Sequence, residues 1–434
     1  MRQHLNEHCI NRRSGAVPQE YLQEHNLHHC TFCNCLISRR YRNICPTCRP
    51  AARARDAAMA LRARLQPTTD APTGDHTTRP QLPTQSEVHT TFVSTLKHIP
   101  KELRSLWARC LSRTLAATSW NNTEEAWIEL QMLTKCVLCV LPRAGKAHKN
   151  RRVAFTRMRL NRWLDGERAE LWHDRPSYTR PHDKQLSEEG AKANKMRRTI
   201  NLCSEGSYGA ACKNLTKGAP LGFTTNVMRE LREKHPSNAS PPDMNALGPI
   251  SNNTAPSLSS DIVEGAIRSF HRLSGAGPSG LRPLHLQEAL RTELRDEVIE
   301  HTTTLVQLLA SGRVPQGVAP WLAGATLTAL PKKDGSVRPI AVGETLRRLT
   351  GKCLCKEYQD QAKDMLFPLQ VGVAQPFGTE VGLQTARQWC ERNAHNPTAV
   401  FLKADFTNAF NTVDRATFLE HCKQHLPGLF PWAA

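Results

Sequence analysis

Two stretches of this chain carry almost nothing from which a core could be built. Residues 66–98 begin QPTTDAPTGDHTTRPQLPTQSEVHTTF, rich in Thr and Pro, and residues 235–260, HPSNASPPDMNALGPISNNTAPSLSS, form a Pro/Ser/Asn cluster. Neither can bury enough apolar surface to offset its ordering entropy, so both read as solvated linkers, the first of them disordered. They divide the 434 residues into an N-terminal module (1–65), a middle block (99–234) and a C-terminal block (261–434). Hydrophobic residues make up 39% and aromatics 6%, which suits folded parts joined by linkers better than one dense globule.

Charge and cysteine usage narrow the class. Lys and Arg number 58 against 39 Asp and Glu, a net charge of +19, so a polyanion is the expected partner. The longest apolar run, CVLCVL (136–141), is far short of the ~20 residues a membrane helix needs. The N-terminal MRQHLNEHCINRRS has no apolar core of a signal peptide. With 15 Cys over this length, a disulfide scaffold is not expected. The reading is an intracellular protein, nuclear or cytoplasmic, with reduced thiols and no membrane contact.

The N-terminal module has one specific pattern. Cys30, Cys33, Cys45 and Cys48 form C-x2-C-x11-C-x2-C, two knuckles that each present a pair of thiolates to a tetrahedral ion. A module this poor in apolar residues needs such a staple, so zinc binding would supply its folding energy. Cys35, His25, His28 and His29 are competing ligands. Four protein ligands close the site, which makes the zinc structural. Arg39, Arg40, Arg42, Arg49, Arg53 and Arg55 around it suggest contact with nucleic acid, through phosphates rather than base edges.

The middle block reads as helical. Leu103, Leu106, Trp107, Leu111 and Leu115 recur at helical spacing. Asn122 with Glu125 three residues on signals a helix start, and Pro142 its stop. Cys136 and Cys139 lie within that helix and read as buried structural thiols, with His148 the nearest candidate for a further ligand. Arg143, Lys146, Lys149, Arg151, Arg152, Arg157, Arg159 and Arg162 then occur without an acid, with Phe155 and Trp163 among and beside them. Such a run can neutralise several phosphates; its simpler meaning is a solvated helix face.

Three segments of the C-terminal block carry chemistry. In GAGPSGLRPLHLQEAL (275–290), a turn with Gly275, Gly277, Pro278 and Gly280 opens a helix near Leu284; it either presents N–H groups to phosphate or is an ordinary turn. In TLTALPKKDGSVRPIAV (326–342), two strands flank Asp334-Gly335, a two-residue hairpin signal. Lys332, Lys333 and Arg338 cluster there, suited to a triphosphate or a template backbone, or simply solvated. In AVFLKADFTNAFNTVDRATFLEHC (399–422), Val400–Phe406 reads as a strand with Asp405 at its C-terminal end and a helix starting near Asn408. A carboxylate there is placed to hold a metal-bound phosphate.

Taken in order, GPSGLRP, LPKKDGSVRPIAV, GVAQPFGTEVGLQ and KADFTNAFNTVDR resemble the reverse transcriptases of non-LTR (LINE-type) retrotransposons, especially the site-specific kind with an N-terminal zinc-binding region. The likeness covers about 261–434, and RLNRWLDGERAELW and YGAACKNLTKGAPLGF resemble the region preceding the polymerase. The resemblance implies an α+β fold: right-hand polymerase fingers and a partial palm, preceded by a mostly helical basic region and a small zinc-ribbon-like module. It implies RNA-directed DNA polymerase activity on an RNA template and a DNA target or primer. Asp405 would be the first magnesium-binding aspartate, and the backbone at Phe406 a partial ligand. Phe410 would be the steric gate against the ribose 2′-OH, and Lys332 and Arg338 would hold the incoming deoxynucleoside triphosphate. Gly277, Gly280 and Arg282 would contact the template. Asp414 is expected on the helix surface beside Arg415 instead of on the metal.

One feature departs from the family. Two-metal phosphoryl transfer needs carboxylates from two places, and no aromatic-x-Asp-Asp, the family's second source, occurs in this sequence. The chain reads as truncated just after the helix that follows Asp405, and as inactive by itself. The alternative is a non-catalytic, zinc-dependent nucleic-acid-binding protein derived from such an element; a purely structural zinc protein leaves four ordered motifs without explanation. Sheet surface left exposed by the missing half of the palm is expected, and with it poor solubility or partial disorder after about residue 400. Elemental analysis of the purified chain should find one zinc per molecule, and Cys33→Ser or Cys45→Ser should abolish it.

Overall fold

The computed structural model of the protein describes residues 27–29, 36–38, 80–141, 148–178, 188–216, 221–237, 241–248, 255–332 and 334–434. Two compact units meet in sequence at Thr78 and Arg79. In the first, β1 (Leu27–His29) pairs antiparallel with β2 (Leu36–Ser38), His29 opposite Leu36. The connection between them contains Cys30, Cys33 and Cys35. Cys30, Cys33, Cys45 and Cys48 themselves lie outside the described residues.

The second unit is mostly helical, with one further hairpin, so the described chain is α+β in the broad sense. Its helices in order are α1 (Gln85–Thr90), α2 (Arg104–Asn121), α3 (Glu124–Val137), α4 (His148–Leu164), α5 (Arg168–His173), α6 (Glu188–Ser204), α7 (Tyr208–Thr216), α8 (Thr225–Glu233), α9 (Met244–Leu247), α10 (Ser260–Arg268), α11 (Pro283–Ala289), α12 (Arg295–Ala310) and α13 (Ala319–Ala323). The hairpin β3 (Ala325–Pro331) and β4 (Val337–Gly343) follows, then α14 (Thr345–Glu357), α15 (Gln359–Leu366), α16 (Gly378–Arg392), α17 (Ala409–Thr412), α18 (Arg415–His425) and α19 (Phe430–Ala433).

The helical spacing of the middle block holds. Trp107, Leu111 and Leu115 are fully buried along one face of α2, with Leu103 buried at its N-cap and Leu106 partly buried, and the helix packs on α12, whose Val298, Leu305 and Val306 share the same core. Removing each such side chain from water contributes about 2 kcal/mol. Cys136 and Cys139 are buried as expected, and burial pushes the Cys136 thiol up to about 12. The cap differs from expectation. Asn122 ends α2 in the left-handed conformation (φ 48°), while Thr123 caps α3 by accepting from the Ala126 N–H. Two adjacent caps are needed because the helices meet with no loop between them. α3 ends at Val137, before Pro142, because Thr95 and Cys139 form a β-bridge.

Neither expected linker is merely solvated. Within 66–98, Thr84 and Glu87 form a capping box that starts α1, and Val88, Val93 and Leu96 are buried. Within 235–260, Leu247 packs on Leu419, Cys422 and Phe430, and Leu258 enters the main core. Composition averages hide a few apolar residues that each find a slot. The helices on either side of 235–260 consequently share one core rather than forming separate ones.

Buried polar bolts join these regions. Glu288 of α11 accepts from the Ile99 N–H at 2.8 Å and from Arg104 at 2.7 Å. His285 is fully buried; its Nδ1 accepts from the Arg282 N–H, so Nε2 donates to the Leu96 carbonyl at 2.8 Å. Trp107 Nε1–H donates to the His285 carbonyl at 3.0 Å. Burial pushes the His285 pKa down to about 3 from an ordinary 6.5. The unfolded chain therefore takes up this proton near pH 6.5 and the folded chain only near 3. The stabilisation is complete above the unfolded value and is lost as pH falls through that window. Thermal melts across it should show falling stability, and His285→Gln, which cannot protonate, should flatten the slope. Parallel slopes for the two proteins would contradict this account.

Candidate nucleotide and nucleic-acid interface

The β3–β4 hairpin forms where β-branched residues flank a Gly turn, with Leu330 opposite Arg338 and Pro331 opposite Val337. Its tip is wider than the two-residue turn expected. The Lys332 N–H donates to the Ser336 carbonyl at 2.8 Å, the Gly335 N–H donates back to the Lys332 carbonyl, and Gly335 takes φ +81°. This is the pattern of a turn closed by a glycine bulge. The Asp334 carboxylate accepts from the Ser336 hydroxyl and N–H, which holds its pKa below the usual range. Lys332 and Arg338 are exposed and form no ion pair among the described residues. Lys333 lies outside the described residues.

Helix α8 holds one face of the hairpin. Leu231 packs on Ala329 and Val337, and the Val337 N–H donates to Glu230 at 2.9 Å. Lys234, which follows α8, donates from Nζ to the Val337 carbonyl. The alternation of the strand then turns Arg338 to the face opposite Val337.

The Asp405 segment is not the strand expected. Residues 400–406 are irregular and largely exposed, and among the described residues no strand pairs with them. A strand needs a ladder partner for its backbone groups; without one, the N–H and C=O groups turn to water. Val400 is 79% exposed, Phe406 80% and Phe410 99%, so apolar side chains stand in water here, on irregular backbone instead of the exposed sheet surface expected. The helix expected to start near Asn408 is broken: α17 is a single turn, with Asn408 in the left-handed region, and α18 starts anew at Arg415. Asp414 lies on the surface and caps α18, accepting from the Thr417 N–H at 2.8 Å. That bond lowers its pKa.

The fold brings this segment to the hairpin through one residue. Asn408 Nδ2 and Asn411 Nδ2 both donate to the Lys234 carbonyl at 2.9 Å, while the same lysine's ammonium holds Val337. Asp405 thus sits three residues from an anchor shared with the strand that carries Arg338. It is exposed, and among the described residues no group of three or more His, Cys, Asp or Glu could hold a metal ion.

The Gly277–Arg282 turn is engaged internally. Ser279 donates its N–H and its hydroxyl to the two carboxylate oxygens of Glu344, at 2.6 and 2.7 Å. Gly277 lies so close that an added Cβ would come 2.6 Å from Glu344 Cα. Gly280 takes φ +82°. Arg282 is half-buried with Nε unpartnered, and desolvation lowers its pKa.

The basic run of the middle block splits by role. Arg159 is buried and donates to the Cys136, Leu171 and Asp174 carbonyls. Arg162 pairs with Glu167 and Asp174. Trp163 is buried and bonds Thr114. Arg151 and Arg157 remain exposed on α4, where Arg157 borders a shallow surface hollow with Asn150, Met158 and Asn161. Arg159, Lys234, His285, Glu288 and Glu344 were not legible as structural anchors, because their partners, carbonyls for the first three and N–H, guanidinium or hydroxyl donors for the two glutamates, are up to about 190 residues away.

No family model and no curated protein matches this chain. Gly277→Ala is expected to destabilise the protein by about 1–3 kcal/mol, since backbone must shift to admit the methyl group. Gly222→Ala, which meets nothing within 4 Å, serves as the control in the same thermal melts.

Proposed function

We propose that this chain is a nucleic-acid-binding part of an RNA-directed DNA polymerase of the non-LTR retrotransposon type. The carrying observation is the anchor at Lys234, which ties the Asp405–Phe410 segment to the hairpin that bears Lys332 and Arg338. In this reading the two exposed cations grip the triphosphate of an incoming deoxynucleotide. Asp405 would hold one magnesium ion, with the backbone at Phe406 a partial ligand, and Phe410 would reject a ribose 2′-OH. Gly277, Gly280 and Arg282 meet the template RNA, and Cys30, Cys33, Cys45 and Cys48 hold a structural zinc. Bound magnesium supplies neutralisation of the developing phosphate charge.

A single carboxylate is half of a two-metal site. With Mg²⁺, deoxynucleotides and a primed RNA template, the purified chain is expected to give no primer extension; robust extension would overturn that expectation. The second reading, a zinc-dependent binding protein without catalysis, rests on the exposed cations Arg151 and Arg157 on α4, which could meet phosphates with no catalytic site.

Binding separates the two. Fluorescence anisotropy with single-stranded RNA should show the logarithm of the affinity falling linearly with log salt. Arg157→Ala is expected to lower the slope by about 0.7, the share of one released counterion. Lys332→Ala and Arg338→Ala should weaken binding of a magnesium–deoxynucleoside triphosphate at least tenfold under the polymerase reading, about 1.4 kcal/mol. They should leave it unchanged under the other.

A further inference from the structure

The contacts of Glu344 go beyond an ordinary helix start. It follows β4 directly, as the N-cap residue of α14, and its carboxylate is almost completely buried. Rather than cap its own helix, it turns both oxygens to Ser279, one to the N–H and one to the hydroxyl. Two neighbours repeat the connection. Thr345 donates its hydroxyl to the Leu281 carbonyl at 2.6 Å, and Arg348 donates to the Gly275 carbonyl at 2.7 Å. Gly277 completes the fit, since no side chain could stand between it and the Gly343–Glu344 backbone. The glycine turn is therefore clamped along its length to the residues that immediately follow the hairpin.

We propose that Glu344 is a positioning residue that locks the template-contacting Gly277–Arg282 turn to the nucleotide-gripping hairpin, so that RNA and nucleotide bind cooperatively. This rests on the polymerase reading above. The physical argument is short. The Ser279 amide and hydroxyl bond to the Glu344 carboxylate, so the conformation of the turn follows that of Glu344. A ligand that orders the hairpin restricts β4 and Glu344 with it, and the turn loses freedom at the same time. The second ligand then meets a surface already ordered and binds more tightly.

The test uses the full chain, a fluorescent magnesium–deoxynucleoside triphosphate and a short single-stranded RNA of mixed sequence. RNA is expected to tighten nucleotide binding by about fivefold or more. Glu344→Ala and the milder Ser279→Ala should bring that factor toward one; Glu344→Ala, outside both contact surfaces, should do so with the affinity for nucleotide alone little changed. Glu344→Gln, which keeps an acceptor for the Ser279 N–H, should retain most of it. Hydrogen exchange gives a second readout without RNA: nucleotide alone should slow exchange of the Ser279 amide in the parent chain but not in Glu344→Ala. Undiminished coupling in both alanine variants, with unchanged melting temperatures, overturns the role of Glu344. A parent chain that binds neither RNA nor nucleotide overturns the polymerase reading and the coupling with it.

Discussion

The carboxylate of Glu288 stands almost without water and with all its partners supplied by a distant segment. Ile99 gives it a backbone N–H and Arg104 a charged donor. Stripped of those, a buried charge of this kind would cost several kcal/mol. With them, α11 is fastened to the start of α2, and His285 and Trp107 add neutral bonds on the same seam. The C-terminal block is in this way built onto the middle block. Its glycine turn and hairpin hang from a helix whose other side is the shared core.

From that seam the site is assembled by two clamps of different kinds. Glu344 is a carboxylate that reaches back to a turn; Lys234 is a cation that reaches forward to a strand and offers its carbonyl to a third segment. Both make bonds to backbone atoms, so each fixes the course of a chain segment more than the position of a side chain. What lies at the surface is as informative. Lys332, Arg338, Arg151 and Arg157 are exposed and form no ion pair among the described residues, while Arg159 and Arg162 from the same basic run as Arg151 and Arg157 have internal acceptors. Free cations on a surface and satisfied ones below it separate the groups available to phosphate from those used to fold.

The legible parts were those set by local rules. Helical spacing from Leu103 to Leu115 gave α2, and alternation around Lys332–Ser336 gave the hairpin, because side-chain periodicity depends on the local backbone alone. The buried state of Cys136 and Cys139 followed from their apolar setting. Misreadings had a common origin. Val400–Phe406 has the composition of a strand, yet strand formation is a property of a pair, and no partner lies beside it among the described residues. The supposed linkers were judged on average composition, whereas Val88, Leu96, Leu247 and Leu258 act singly, each in a pocket made by remote helices.

The chain's residues alone determined its basic balance, its cysteine spacing, the order of its four motifs and the place of Asp405 in the last of them. These are facts of composition and order, and no folding could alter them. The tertiary structure decided which cations face solvent, that the glycine turn is closed on Glu344, and that the Asp405 segment shares an anchor with the hairpin. Each of those depends on hydrogen bonds between groups far apart in sequence. Such bonds gain their energy only after the intervening chain has packed, which is why no local pattern records them.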